Sequence, residues 1–538
     1  MSAVATSTRP PDLRLPELPQ RYNAAHTFID EHRATRGDRV AIRCQGSSVT
    51  YSELGASVDR TGNALRALGV ALEERVVILA ADSPAFVYVF FGAIKIGAIP
   101  IPTNTALTPR ELLYILTDSR AVAVVVSAPL LAKVLEVRAQ APRLRHIIVT
   151  TSGVAPVEGG LPAGVLSLEQ LMDAADDELD AADTTPDDAC FWLYSSGTTG
   201  FPKGAVHLQH DMIWSAETYG RHILGLTEED RTFTVSPLFH AYGLGNGVFF
   251  PFRVGASAVY KPERPNPDLV YGLVTSERPT VLFTAPTFYA ALLAYPEEGF
   301  RYDLSSLKFC VSAGEALPKP LFEAWKRRFG LEILDGIGST EMLHIFISNV
   351  RGSAKGGTSG TAVPGYQAKI VDEAAREVAP GQTGDLWVSG DSAFAYYWNK
   401  HEKTKRTILG EWVVTGDRYH QDEDGHFVYE GRSDDMLKVS GMWVSPAEVE
   451  AVLIAHPAVL ECGVVGAKDK DELVKPKAFV ILKPGQAASD ALADELKAFV
   501  KDRIAQYKYP RWIEFVTELP KTSTGKIQRY KLREATPA

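Results

Sequence analysis

Short β-branched runs at residues 76–79, 121–126, 146–150 and 281–283 alternate along this chain with longer segments of helical pattern, such as 109–119 and 319–328. Parallel strands need a crossover long enough to hold a helix, so this alternation points to doubly wound α/β layers. At 538 residues the chain exceeds what one hydrophobic core organises, and 45% hydrophobic residues are ample for several layers. No repeat of fixed period interrupts it. Residues 351–360 are rich in Gly and Ser and read as a flexible connection, followed by a small β unit at 365–387.

A second change of composition falls at Gly431-Arg432-Ser433-Asp434-Asp435, a polar segment between the aromatic strand 427–429 and the apolar run 436–439. It reads as a hinge, centred on Asp434. Beyond it, a helix at 446–456, strands at 461–465 and 478–482 and an amphipathic helix at 490–506 suffice for a compact unit of about 100 residues. The expected fold class is therefore α/β. Residues 1–432 form a large N-terminal domain of doubly wound α/β layers plus the small β unit, 433–435 the hinge, and 436–538 a mobile, smaller α+β C-terminal domain.

Composition excludes several function classes. A formal net charge of −10 opposes nonspecific nucleic-acid binding, which needs a basic field. Cys44, Cys190, Cys310 and Cys462 lack paired ligand spacing, so they read as reduced thiols of a cytoplasmic protein with no zinc site. Residues 1–21 contain no continuous apolar core and read as a loose arm rather than a secretory signal. The most apolar segment, 85–98, is broken by Lys95 and Gly97, which suits a buried helix and no membrane span.

One loop carries clear chemistry. In Tyr194-Ser195-Ser196-Gly197-Thr198-Thr199-Gly200-Phe201-Pro202-Lys203-Gly204 an apolar strand runs directly into glycines, hydroxyls and one lysine. Glycines let backbone N–H groups approach oxyanions, the hydroxyls add neutral donors and Lys203 adds a point charge, so the segment suits a nucleotide triphosphate. It departs from the common P-loop, because Gly204 rather than Ser or Thr follows the lysine. Composition alone describes an ordinary surface loop equally well.

Four further motifs follow in order: Gly338-Ser339-Thr340-Glu341, Thr415-Gly416-Asp417, Gly431 to Asp435, and Thr524-Gly525-Lys526. With the loop at 194–204 they make the chain, from about residue 22 to 533, similar to the adenylate-forming superfamily of acyl-CoA synthetases, luciferases and peptide-synthetase adenylation domains. The resemblance implies a cradle for ATP phosphates at Ser195, Ser196, Gly197, Thr198, Thr199 and Lys203, with Glu341 as the Mg²⁺ ligand and Thr340 a donor to the α-phosphate. Ala313, Gly314 and Glu315 would wall the adenine, Asp335 would meet its amino group, Asp417 would accept the ribose hydroxyls, and Arg432 would reach ribose or phosphate. Lys526 would bridge the substrate carboxylate and α-phosphate. Most relatives place an aromatic residue where this chain has Ile337, so stacking on adenine is replaced by aliphatic packing.

Within the superfamily, Phe239-His240-Ala241-Tyr242-Gly243-Leu244 and the run from Leu334 to Phe346 resemble benzoate-type CoA ligases. Carried over, Ala241, Tyr242, Gly336, Ile337, His344 and Ile345 would line an aromatic-acid slot with His240 near its mouth. His344 also fits a packed core histidine bonded to backbone. Amino-acid-activating relatives carry Asp where this chain has His240, so a substrate ammonium would be left unpaired. Benzoate, aminobenzoate and hydroxybenzoate all remain open.

For the acceptor, Tyr507, Lys508, Tyr509 and Arg511 resemble the CoA-nucleotide segment of acyl-CoA ligases, and Lys438, Gly441 and Trp443 would line the pantetheine tunnel. The reaction implied has two halves: aryl-AMP and pyrophosphate form first, then the CoA thiol displaces AMP. Rotation about Asp434 would present Lys526 and Gly441 to one site in turn. A carrier-protein thiol is the alternative acceptor, and a homodimer stays open.

Overall fold

Continuous burial on both faces explains why the strands of the first sheet read as unbroken aliphatic runs. In the computed structural model, Ile99–Pro102, Arg75–Leu79, Ala123–Ser127, His146–Thr150 and Val165–Ser167 lie side by side, every pair parallel. The model describes residues 15–195, 202–433, 435–439, 442–469, 473–521 and 527–534. A second sheet of nine strands has six in parallel at its centre, from Val40–Cys44 through Ser257–Tyr260, Arg231–Thr234, Val281–Thr284 and Phe309–Ser312 to Ile333–Gly338. Antiparallel additions close both edges: Ser47–Thr50 at one, Ile345–Ser348 and Thr361–Ala362 at the other.

Helices Tyr51–Ala67 and Pro84–Lys95 carry the core that joins the sheets, with Leu54, Val58, Phe86, Phe90 and Phe91 buried against Ile42, Ile78 and Phe191. Lys95, which interrupts the apolar run, is buried yet answered by Asp59 Oδ1 at 2.5 Å and Asp30 Oδ1 at 2.7 Å. Local signals start the helices where expected: Thr50 with Glu53 and Thr108 with Glu111 form reciprocal capping boxes. The segments anticipated at 109–119 and 319–328 are helices Pro109–Asp118 and Lys319–Phe329.

Residues 351–360 differ from the expectation of a flexible connection. Glu332 Oε2 accepts from Gly352 N at 2.8 Å, Lys355 Nζ donates to Asp422 at 2.7 Å and Asp424 at 2.6 Å, and Asn349 Nδ2 donates to the Thr358 carbonyl at 2.8 Å. Gly and Ser here mark turns without being loosely held. The small β unit also reaches further than 365–387: Gln367–Val371, Gly384–Ser389, Ile408–Leu409, Trp412–Gln421 and Phe427–Arg432 form one antiparallel sheet.

Beyond residue 442, Val459–Lys468 and Val474–Leu482 pair antiparallel, and Trp512–Phe515 adds in parallel. Helices Pro446–Ile454 and Asp490–Arg503 contribute Val449, Leu453, Leu496 and Val500 to a separate core with Val464 and Val480. Asp434 lies outside the described residues. All four cysteines are free and buried, and among the described residues no helix is long and apolar enough to cross a membrane.

Candidate active site

The chemistry-bearing loop is the tip of a hairpin. Ala189–Ser195 and Lys203–Leu208 run antiparallel with Ser195 opposite Lys203, so backbone pairing alone sets a hydroxyl and an ammonium face to face. Ser196, Gly197, Thr198 and Thr199 lie outside the described residues. Tyr194 Oη donates to Asp118 Oδ2 at 2.7 Å and Tyr114 Oη to the Pro202 carbonyl at 3.0 Å, tying the hairpin to the helix Pro109–Asp118. The two-residue strand Tyr396–Tyr397 then adds beside Lys203–Leu208.

Glu341 meets this hairpin from the turn between Ile333–Gly338 and Ile345–Ser348. Lys203 Nζ donates to Oε1 at 3.0 Å, Tyr397 Oη at 2.6 Å and Ser195 Oγ at 3.4 Å. Burial pushes the carboxyl up, but the Lys203 ammonium and the Tyr397 hydroxyl outweigh it and hold Glu341 at about 2. The group is thus an anion, with its second oxygen unbonded by any described side chain. Such a hard, ionised oxygen fits Mg²⁺. One residue earlier, the Thr340 carbonyl accepts from His207 Nε2 at 2.8 Å, and His207 Nδ1 lies 2.7 Å from Asp211 Oδ2. Both side chains of that pair are fully buried.

The residues assigned to the nucleoside fall on two strand pairings. Strand register places Asp417 opposite Arg432, and Arg432 Nη1 donates to Asp417 Oδ1 at 3.1 Å. Asp335 stands beside Ser312 in the register of the second sheet. Burial pushes its carboxyl far above the usual range, and its Oδ1 has no hydrogen-bond partner among the described residues. That orphaned acceptor suits an adenine amino group. Ala313 and Gly314 follow on the adjacent strand end, whereas the Glu315 carboxylate accepts from Thr287 Oγ1 at 2.6 Å and so is occupied by the protein itself.

Aromatic groups define the adjoining slot. His240 caps the short helix Ala241–Leu244, and Tyr242 Oη donates to the Val311 carbonyl at 3.0 Å, which fixes its ring. His344 is 2% exposed and surrounded by the rings of Tyr219, Tyr242, Phe249 and Phe250. Its Nε2 donates to the Tyr242 carbonyl at 3.2 Å, and burial pulls the imidazole down to about 3, leaving it neutral. A Cβ on Gly245 would sit 2.3 Å from that ring, so only glycine admits it. On the facing strand a Cβ at Gly336 would come within 2.8 Å of the Ile347 carbonyl, while Ile337 is half-buried and Ile345 buried beside it.

Residues assigned to CoA lie in the C-terminal unit. Lys438 and Trp443 fall on the paired strands Leu437–Val439 and Met442–Val444, and Gly441 and Lys526 lie outside the described residues. Tyr507, Lys508, Tyr509 and Arg511 follow the helix Asp490–Arg503. The guanidinium of Arg511 stacks 3.6 Å from the Tyr509 ring centroid. Lys508 departs from the expectation of a free phosphate cation, because Glu448 binds its Nζ at 2.7 and 2.5 Å.

Three residues that touch or buttress the candidate site were not named from motifs: Tyr397 and His207, which contact the Thr340–Glu341 turn, and Asp82, which holds the chain before His240. The last accepts the Leu238 N–H at 3.0 Å, two residues before His240. Each acts through a contact between segments distant in sequence. The only local signal was the aromatic cluster Tyr396-Tyr397-Trp398.

A hairpin lysine paired with an ionised glutamate, an Asp–Arg pair on adjacent strands and a cluster of aromatic rings around a neutral histidine, all on α/β layers, fit an acid-activating ligase. The chain belongs to the AMP-binding enzyme family: the model of that family matches residues 29–398, and that of the AMP-binding enzyme C-terminal domain residues 448–526. It is 49% identical to a benzoate–CoA ligase of Thauera aromatica across 99% of both chains. A 4-hydroxybenzoate–CoA/benzoate–CoA ligase of Rhodopseudomonas palustris is 44% identical, over 96% of this chain and 94% of that relative. Among solved structures, the anthranilate CoA ligase AuaEII in complex with anthranoyl-AMP superposes with a TM-score of 0.92 at 44% identity, covering 96% of this chain and 98% of its own. A benzoate CoA ligase from Burkholderia xenovorans gives 0.88 at 46% identity, with 95% and 100% covered.

Proposed function

We propose that this chain is an ATP-dependent, AMP-forming ligase that activates benzoate or a small ring-substituted benzoate as aryl-AMP and transfers the acyl group to the CoA thiol. The observation that carries this reading is one turn that bears both Glu341, paired with Lys203, and His344, set among the rings of Tyr219, Tyr242 and Phe250. Full-length similarity to benzoate– and hydroxybenzoate–CoA ligases supports it.

Adenylation brings a carboxylate against the α-phosphate of ATP, so two anions must meet and pyrophosphate must leave in line. Ser195 and Lys203, with the hydroxyls of Ser196, Thr198 and Thr199, hold the β- and γ-phosphates. Thr340, its carbonyl gripped by His207, turns its hydroxyl to the α-phosphate. Asp417 takes the ribose hydroxyls, with Arg432 orienting it, and Ala313, Gly314 and Asp335 receive the adenine. Glu341 would hold Mg²⁺. That ion, when bound, neutralises phosphate charge and eases departure of pyrophosphate.

The acid lies with its ring between Tyr242 and the Gly336–Ile337 strand, over the neutral His344. An anilinium is not needed there: aromatic amines are uncharged near neutral pH, so 2-aminobenzoate fits as readily as benzoate. Lys526 steers the carboxylate in the first half-reaction, and the Lys438–Trp443 segment replaces it when CoA enters, by rotation at the hinge. Release of Lys508 from Glu448 accompanies CoA binding, with Tyr509 and Arg511 as the platform for its base. The test is AMP release with ATP and CoA across benzoate, 2-aminobenzoate, the hydroxybenzoates and short alkanoates. Turnover confined to the aryl acids is expected; a preference for alkanoates contradicts the aryl slot.

A further inference from the structure

Among the described residues, the three side-chain donors to Glu341 converge on one of its oxygens, Oε1, and one of them has no assigned role. Tyr397 Oη donates to that oxygen at 2.6 Å and lies 2.5 Å from Lys203 Nζ, whose ammonium also sits 4.2 Å from the Tyr397 ring centroid. The phenol is held from every side. Strand pairing sets Tyr397 opposite Ala205, its backbone N–H donates to Thr404 Oγ1 at 3.0 Å, and its ring packs on Phe394 with centroids 4.5 Å apart. The Phe394 N–H in turn donates to the Glu341 carbonyl at 2.7 Å, so both ends of Glu341 hang from the same segment.

Lys203 carries two conflicting duties. Here it neutralises a mostly buried carboxylate, while the phosphates of a nucleotide compete for the same ammonium. A buried anion that loses its cation and keeps no donor is costly. Tyr397 is neutral and anchored, so it cannot follow the phosphates.

We propose that Tyr397 is a positioning residue for the adenylation half-reaction: its hydroxyl retains Glu341 by Oε1 when Lys203 turns to the triphosphate, and so presents Oε2 to a divalent cation. This rests on the reading of Glu341 as the cation's ligand. Tyr397→Phe keeps the ring, its packing on Phe394 and the face beneath Lys203, and removes only the hydroxyl.

The experiment titrates Mn²⁺ by electron paramagnetic resonance in the presence of α,β-methylene-ATP, for the full-length wild type, Tyr397→Phe and Glu341→Gln. In parallel, synthetic benzoyl-AMP and CoA are supplied to score the second half-reaction alone. The expected result is a rise of about tenfold in half-saturating Mn²⁺ for Tyr397→Phe, with CoA-dependent consumption of benzoyl-AMP within about twofold of wild type. Unchanged Mn²⁺ binding in Tyr397→Phe, alongside weakened binding in Glu341→Gln, overturns the proposal and spares the parent reading. Unchanged binding in Glu341→Gln overturns the parent reading itself. Equal loss of both half-reactions in Tyr397→Phe makes the hydroxyl a general structural bond and also overturns the proposal.

Discussion

Two buried ionisable groups a few residues apart, Glu341 and His344, take opposite charge states for opposite reasons. Glu341 stays ionised because Lys203 and Tyr397 outweigh its desolvation, whereas His344 has only one carbonyl partner among aromatic rings and stays neutral. The first is equipped for cations and phosphates, the second for a planar apolar ring. His344→Ala is expected to shift the ratio of kcat/KM for benzoate over 2-aminobenzoate by about tenfold, the scale of a volume change in a hydrophobic pocket. Steady-state kinetics with the two acids check it; an unchanged ratio with a lowered melting temperature would leave His344 a packing role alone. At this scale the structure brings together residues named from separate short motifs, Lys203 with Glu341 and Asp417 with Arg432, and their roles toward ATP remain proposals. His344 was legible only as two alternatives, and the structure realises the packed, backbone-bonded one without excluding ring contact. Glu315 and Lys508 show the limit. Their chemistry suits a ligand, but Thr287 and Glu448, remote in sequence, hold them.

Among the elements, the strand Lys203–Leu208 does most to assemble the site. It pairs with Ala189–Ser195 on one edge and Tyr396–Tyr397 on the other, and sends Lys203 from its start and His207 from near its end toward the same Thr340–Glu341 turn. His207 stacks on Phe191 at 5.1 Å and bridges Asp211 to the Thr340 carbonyl without contact with water. His207→Phe preserves the stack but strips the Thr340 carbonyl of its donor and leaves Asp211 Oδ2 with the Leu208 N–H at 3.1 Å, and should destabilise the N-terminal domain by about 1–3 kcal/mol, the cost of buried polar groups left short of a partner. Denaturant unfolding measures it. His207→Phe combined with Asp211→Leu is expected to recover part of that loss, whereas additive losses would deny the coupling. Helix positions were readable from period and caps, and the parallel strands from their unbroken aliphatic runs. Strand ends were less so: 461–465 became Val459–Lys468, since its length is set by pairing with Val474–Leu482, remote from the local pattern that Glu461 and Gly466 interrupt. The segment 351–360 was misjudged because glycine marks a turn whether or not side chains such as Lys355 pin it.

At the scale of the molecule, two domains divide one reaction. The N-terminal layers carry the residues assigned to the nucleotide and the acid, and the smaller C-terminal unit, with its own core, carries the segments assigned to Lys526 and to CoA. Alternation about the hinge is part of the proposed function. Domain count and class were legible from length and alternation; the exact exchange was not, because relative domain placement leaves no periodic trace in sequence. In the proposed reaction the acid is activated by ATP before any thiol takes part. Benzoate-dependent exchange of labelled pyrophosphate into ATP, run without CoA on the wild type and on Lys526→Ala, tests it most directly. Exchange in the wild type that requires benzoate and vanishes in Lys526→Ala, while that variant still consumes benzoyl-AMP with CoA, is the predicted result. Exchange that ignores benzoate, or that appears only once CoA is added, would contradict it.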